Sequence, residues 1–176
     1  MSDHSLSPDW LAGWTSRVSG ALAALTSEFE RRHGYPPGAN EVRPADRDDR
    51  TAARALALGS GIPADLVTFY DSVGAVTWAD VGNGYFLDSA GDVLLRLQEH
   101  DAAVVGAYQQ VNGLVIGSNG GGLCYVARPD GTVHRTRTAS LDEPELDKVA
   151  DDLRRFLELL ERSLTRFVTD GEPGSL

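Results

Sequence analysis

One cysteine in 176 residues cannot form an internal disulfide, so Cys124 leaves the chain without a covalent staple and fits a reducing compartment. No apolar stretch approaches the ~20 residues that a helix needs to cross a bilayer. The opening Met1-Ser2-Asp3-His4-Ser5 lacks the basic start and apolar run of a secretory leader, so a soluble cytoplasmic protein is expected. No pair of candidate ligands falls at the short spacing of a zinc site, and no metal or cofactor is expected. Internal repeats are absent as well. Positive charge is scarce: 16 Lys and Arg face 26 Asp and Glu, for a net charge of −10 and a pI near 4.7. That balance argues against phosphate backbones and anionic membrane surfaces as direct partners. It favours a basic protein partner, although surplus carboxylates also simply keep a protein soluble.

What is present suits one globular unit. Apolar residues make up 41% and charged residues 24% of the chain. A domain of this length hides roughly 70% of its extended-chain surface on folding, enough for a full core.

Periodicity orders the chain. Leu11, Trp14, Val18, Leu22, Leu25 and Phe29 recur at spacings of three and four, predicting a helix over residues 8–33. Ser7 is its expected N-cap, Pro8 its first residue, and Gly34 its stop. The Tyr35-Pro36-Pro37-Gly38 stretch and the mixed charges of 43–50 read as a solvated linker. Helical character returns at about 50–58. A further helix opens at Ile62-Pro63 and buries Leu66, Phe69, Tyr70 and Val73. From there the period drops to two. Strands are expected at 84–88, 92–97, 113–117, 123–127 and 132–136, with Pro129-Asp130-Gly131 turning the last pair. Residues 145–167 read as one long amphipathic helix, with Ser140-Leu141-Asp142-Glu143 as a capping box. Elements in this order make an α+β fold. The expected architecture is a largely antiparallel or mixed sheet of five to six strands, flanked by N-terminal helices and a long C-terminal helix.

Four features carry a resemblance: Gly61-Ile62-Pro63 opening a short helix; an aromatic strand near Trp78; Val115-Ile116-Gly117-Ser118-Asn119-Gly120-Gly121-Gly122 before another aromatic strand; and a final amphipathic helix bearing Phe156-Leu157. Together they resemble the SUKH superfamily, which takes in bacterial toxin-immunity proteins and fungal Smi/Knr-type cell-wall regulators. The likeness spans residues 50–165, and the glycine-rich run is its most specific part. It implies a mixed sheet flanked by helices, no enzymatic activity, and neutralisation of a bacterial toxin, often a nuclease, by direct binding. A Smi/Knr-type regulatory or scaffold module is the alternative it leaves open. The expected division is 1–34 as an N-terminal helical segment, 35–49 as linker, 50–168 as the SUKH-like domain and 169–176 as a flexible tail.

Candidate chemistry is sparse. Gly117-Ser118-Asn119-Gly120-Gly121-Gly122 lacks the lysine and the following helix of a phosphate loop, so it reads as a turn. Cys124 has no basic neighbour in sequence to lower its pKa, and His4, His33, His100 and His134 are dispersed. The carboxylate pairs Asp48-Asp49, Asp142-Glu143 and Asp151-Asp152 fall in charged, solvated stretches. No catalytic residue is therefore expected. The segment Trp78-Ala79-Asp80-Val81-Gly82-Asn83-Gly84-Tyr85 joins large aromatics to hydrogen-bonding groups. Trp78, Asp80, Asn83, Tyr85 and Asp88 are the expected partner contacts. The competing reading puts Trp78 and Tyr85 in the core.

Overall fold

The computed structural model describes residues 4–99, 113–141 and 145–176. Helix α1 (Pro8–His33) forms as its caps dictate. The Ser7 hydroxyl accepts from the Trp10 amide at 3.1 Å, and Gly34 closes the helix in the left-handed region at φ 79°. All six residues of the expected apolar stripe are buried.

Among the described residues seven strands follow: β1 (Asn40–Pro44), β2 (Val73–Trp78), β3 (Tyr85–Leu87), β4 (Leu114–Asn119), β5 (Cys124–Ala127), β6 (Val133–Thr136) and β7 (Leu146–Ala150). They form one sheet in sequence order, with every neighbouring pair antiparallel. Between and after them run α2 (Arg47–Ala57), α3 (Ala64–Ser72), α4 (Ala90–Glu99) and α5 (Leu153–Asp170). The fold is α+β, with a helix at the N-terminus and a long one at the C-terminus.

Strand alternation places Val76, Trp78, Tyr85, Leu87, Tyr125 and Val133 on one face of the sheet, and all are buried in the main core. Helices α1 and α5 supply the opposing layer. Trp14 stacks on Trp78 at 6.3 Å, Tyr125 meets Phe156 at 5.0 Å, and the Trp14 indole N–H donates to the Leu157 carbonyl at 3.0 Å. The opposite face carries a smaller cluster, Val115 and Val126, with Cys124 and Leu146 beside it.

Four expectations need correction. Residues 92–97 lie in α4, not in a strand. Ser89 sits where a cap is needed, its hydroxyl accepting from the Asp92 amide at 3.1 Å and donating to the Asp92 carboxylate at 2.8 Å. Residues 145–167 are not one helix. The free edge of β6 captures Leu146–Ala150 as β7, and α5 starts only after Asp152 accepts from the Arg155 amide at 2.6 Å. The stretch read as a linker contains β1, which docks on β2 through Val42 opposite Val76 and ends at Pro44, a residue suited to a sheet edge. It also contains the start of α2, where Asp46 and Asp49 form a reciprocal capping box. Finally, the expected tail is ordered in part. Helix α5 runs to Asp170, Pro173 lies close to Gly82, and Leu176 packs against the core. Of the sequence motifs, His100 and the Asp142-Glu143 half of the capping box lie outside the described residues.

Candidate functional site

The glycine-rich run forms the β4–β5 hairpin, and close approach explains its composition. A Cβ on Gly117 would stand 2.1 Å from the Phe86 carbonyl oxygen, and one on Gly120 would stand 1.4 Å from that of Asn83. The Gly120 amide donates to the Gly84 carbonyl at 3.1 Å, so the hairpin tip is sealed onto the 82–84 turn. The Asn119 side-chain oxygen accepts from the Gly121 and Leu123 amides, each at 3.0 Å, which fixes the turn. These amides serve the chain itself, in keeping with a structural turn.

Of the five expected contact residues, two are core. Trp78 is fully buried, between Trp14 and Tyr85, and Tyr85 is 7% exposed. Neither offers a partner its ring, and the physical reason is the register: both face the helices across the Trp78–Tyr85 pair. Asp80 is half-buried and committed to a clamp. It accepts from the Gly38 amide at 2.7 Å and from the Asn40 side chain at 2.6 Å, while its own amide donates to Asn40 Oδ1 at 3.0 Å. Asp88 pairs with Arg96, whose guanidinium also reaches the Val115 carbonyl at 3.1 Å. Asn83 alone of the five is exposed. The structure does not bring these residues together as one surface.

Cys124 is half-buried. Burial pushes its thiol up, Asp88 adds to that, and Arg96 opposes it, so the sulfur stays protonated near neutral pH. His134 Nε2 lies 3.0 Å from the Thr132 hydroxyl, and burial beside Arg128 holds its ring below the usual range. Among the described residues, no His, Cys, Asp and Glu side chains gather as a metal site, and no helix is long and apolar enough to cross a membrane.

One acidic feature was scattered over three segments in the linear sequence. The start of α3, the β5–β6 turn and the start of α5 enclose a cavity of about 320 Å³, with Asp65, Asp130, Asp151 and Asp152 in its lining. Leu66, Pro129 and Leu153 supply apolar wall. Each carboxylate is held in place locally. Asp65 accepts from the Leu6 amide at 3.1 Å, Asp152 caps α5, and Asp151 pairs with Lys148 at 2.6 Å. Asp130 accepts from the Thr132 amide at 3.0 Å and its hydroxyl at 2.6 Å. Those Thr132 bonds hold Asp130 below the usual carboxylate range, and Lys148 does the same for Asp151. Both are therefore ionised at neutral pH. A concavity lined by both apolar groups and carboxylates suits a lysine or arginine side chain, which has a hydrocarbon stem and a charged head. Asp151-Asp152 was visible in the sequence as a pair, but its convergence with Asp65 and Asp130 is a product of the fold.

No family model matches the chain, and no curated protein matches it.

Proposed function

We propose that this chain is a non-enzymatic protein-binding domain of the bacterial immunity type, acting in the cytoplasm by covering a basic face of a cognate toxin. The observation that carries this reading is the aspartate-rimmed concavity on a chain of net charge −10. An acidic surface steers a basic partner, raising the association rate more than the affinity. Pro129, exposed in the same lining, offers apolar contact beside the carboxylates. The resemblance of residues 50–165 to the SUKH superfamily agrees with a toxin, often a nuclease, as the partner.

The test begins with recovery of the partner from the native host, followed by binding kinetics over a salt series. Association should slow markedly as salt rises, while dissociation changes little, because exposed charges are screened and apolar contacts are not. Asp130→Asn with Asp151→Asn should flatten that salt dependence. Asparagine keeps Oδ1 as an acceptor, so the turn bonds from Thr132 survive the change. An association rate indifferent to salt, or an acidic partner, would overturn the electrostatic account.

A further inference from the structure

At the other end of the helix-facing sheet surface lies an arginine, Arg135, whose cross-strand neighbour Asp147 pairs with Arg137 instead. Register sets Arg135 of β6 opposite Tyr125 of β5, and Tyr85 of β3 opposite Asn119 of β4. These four side chains, with Asn83 and the returning chain at 172–176, line a cleft of about 540 Å³. That is within the usual range for a small-molecule site, ~300–1,000 Å³. Tyr125 is 1% exposed, and its hydroxyl makes no hydrogen bond among the described residues. The Arg135 Nε–H is buried and equally unpartnered, and its guanidinium forms no ion pair among the described residues. Most buried donors in folded proteins have a partner, so two orphans lining one cleft point to a ligand.

We propose that this cleft binds a small organic carboxylate, gripped by the Arg135 guanidinium with the Tyr125 hydroxyl and the Asn119 amide as neutral donors. The planar guanidinium fork matches a carboxylate two bonds to two. The Asn119 oxygen is already occupied by the Gly121 and Leu123 amides, so its NH2 group is the end left to donate. Burial raises both tyrosine phenols above their ordinary range, against the pull of Arg135, and keeps them as O–H donors at neutral pH. Charge count selects the ligand class. Among the described residues Arg135 is the only cation in the lining, and Glu172 stands on it too. Glu172 already offsets Arg135, so a singly charged carboxylate meets less repulsion there than a doubly charged phosphate. Pro173 and Leu176 of the returning chain offer apolar wall to the ligand's carbon skeleton. This site is distinct in residues from the aspartate concavity and does not depend on the protein-binding reading.

The experiment titrates the full chain with sodium acetate, sodium benzoate and sodium phosphate at constant ionic strength, followed by amide NMR. Both carboxylates should give saturable shifts at Tyr125 and Arg135 with millimolar dissociation constants, benzoate binding the tighter. Phosphate should bind about tenfold more weakly or not at all. Tyr125→Phe should weaken carboxylate binding about tenfold while leaving the unfolding midpoint unchanged or raised, since the lost hydroxyl has no partner among the described residues. Arg135→Gln should abolish saturation. No saturable shift with either carboxylate would overturn the proposal. So would unchanged affinity in Tyr125→Phe, or phosphate binding tighter than benzoate.

Discussion

Asp49 sits in the most charge-dense stretch of the chain and is nonetheless only 7% exposed. Its carboxylate accepts from Arg43 Nη1 at 2.6 Å and Nη2 at 3.1 Å, and from the Asp46 amide at 2.9 Å. The Arg43 bonds hold it below the usual carboxylate range, with burial working the other way. A carboxylate depressed in the folded state adds stability above its unfolded pKa of ~3.9, and that stability is lost as pH falls through the folded value. Asp49→Asn should therefore cost about 1–3 kcal/mol at pH 7, at the low end because Arg43 is 38% exposed and screened by solvent. The difference from the native chain should shrink as urea midpoints are taken to pH 3. At Trp78 the expectation changes in kind. A fully buried ring stacked on Trp14 makes Trp78→Ala a core truncation of ~3–5 kcal/mol in urea unfolding, not a selective loss of partner affinity.

Elements differ in how much their neighbours constrain them, and glycine substitutions report it. In α1, a Cβ on Gly20 meets nothing within 4 Å, so Gly20→Ala should stabilise by up to ~1 kcal/mol through helix propensity. In the β4–β5 hairpin, the same change at Gly120 drives a methyl group into the Asn83 carbonyl. Gly120→Ala should cost ~1–3 kcal/mol by overpacking and separate the hairpin tip from the 82–84 turn. Thermal unfolding of the two variants side by side checks both signs. Helix α1 was legible because cap, stripe and stop all agreed. The α4 sequence was misread because Val93-Leu94-Leu95 is a short apolar run that serves helix or strand equally, and the deciding signal was the Ser89–Asp92 cap. In α5 the 3.6-residue period runs on backwards into β7, where pairing with β6 overrode local preference.

On the scale of the molecule, α1 is bound into the core that the sheet and α5 share. Trp14, Trp78, Leu157 and Phe156 belong to one buried cluster. Arg154 lies 5.1 Å from the Trp10 ring, and Arg17 bonds Glu161 at 2.7 Å along the same seam. Exposed ion pairs of this kind contribute little, so the buried indoles hold the helices together. Deleting residues 1–34 should consequently abolish the cooperative unfolding transition by circular dichroism. A sharp, two-state transition in the shortened chain would show that the sheet and α5 suffice.

Local chemistry alone determined α1, the Pro129-Asp130-Gly131 hairpin and the class of the fold, because caps, turns and two-residue alternation act between near neighbours in the chain. Charge sign was likewise readable by counting. The edge strands β1 and β7 were decided by tertiary structure, since a strand at a sheet edge is stabilised by a partner distant in sequence. The fate of Trp78 and Tyr85 was decided there too: a one-residue shift in register turns a core ring into a surface ring, and no local signal fixes register. Both clefts are long-range products. Asp65, Asp130 and Asp151, or Arg135, Tyr125 and Asn119, meet only because antiparallel pairing and the start of a helix bring separate segments to one place.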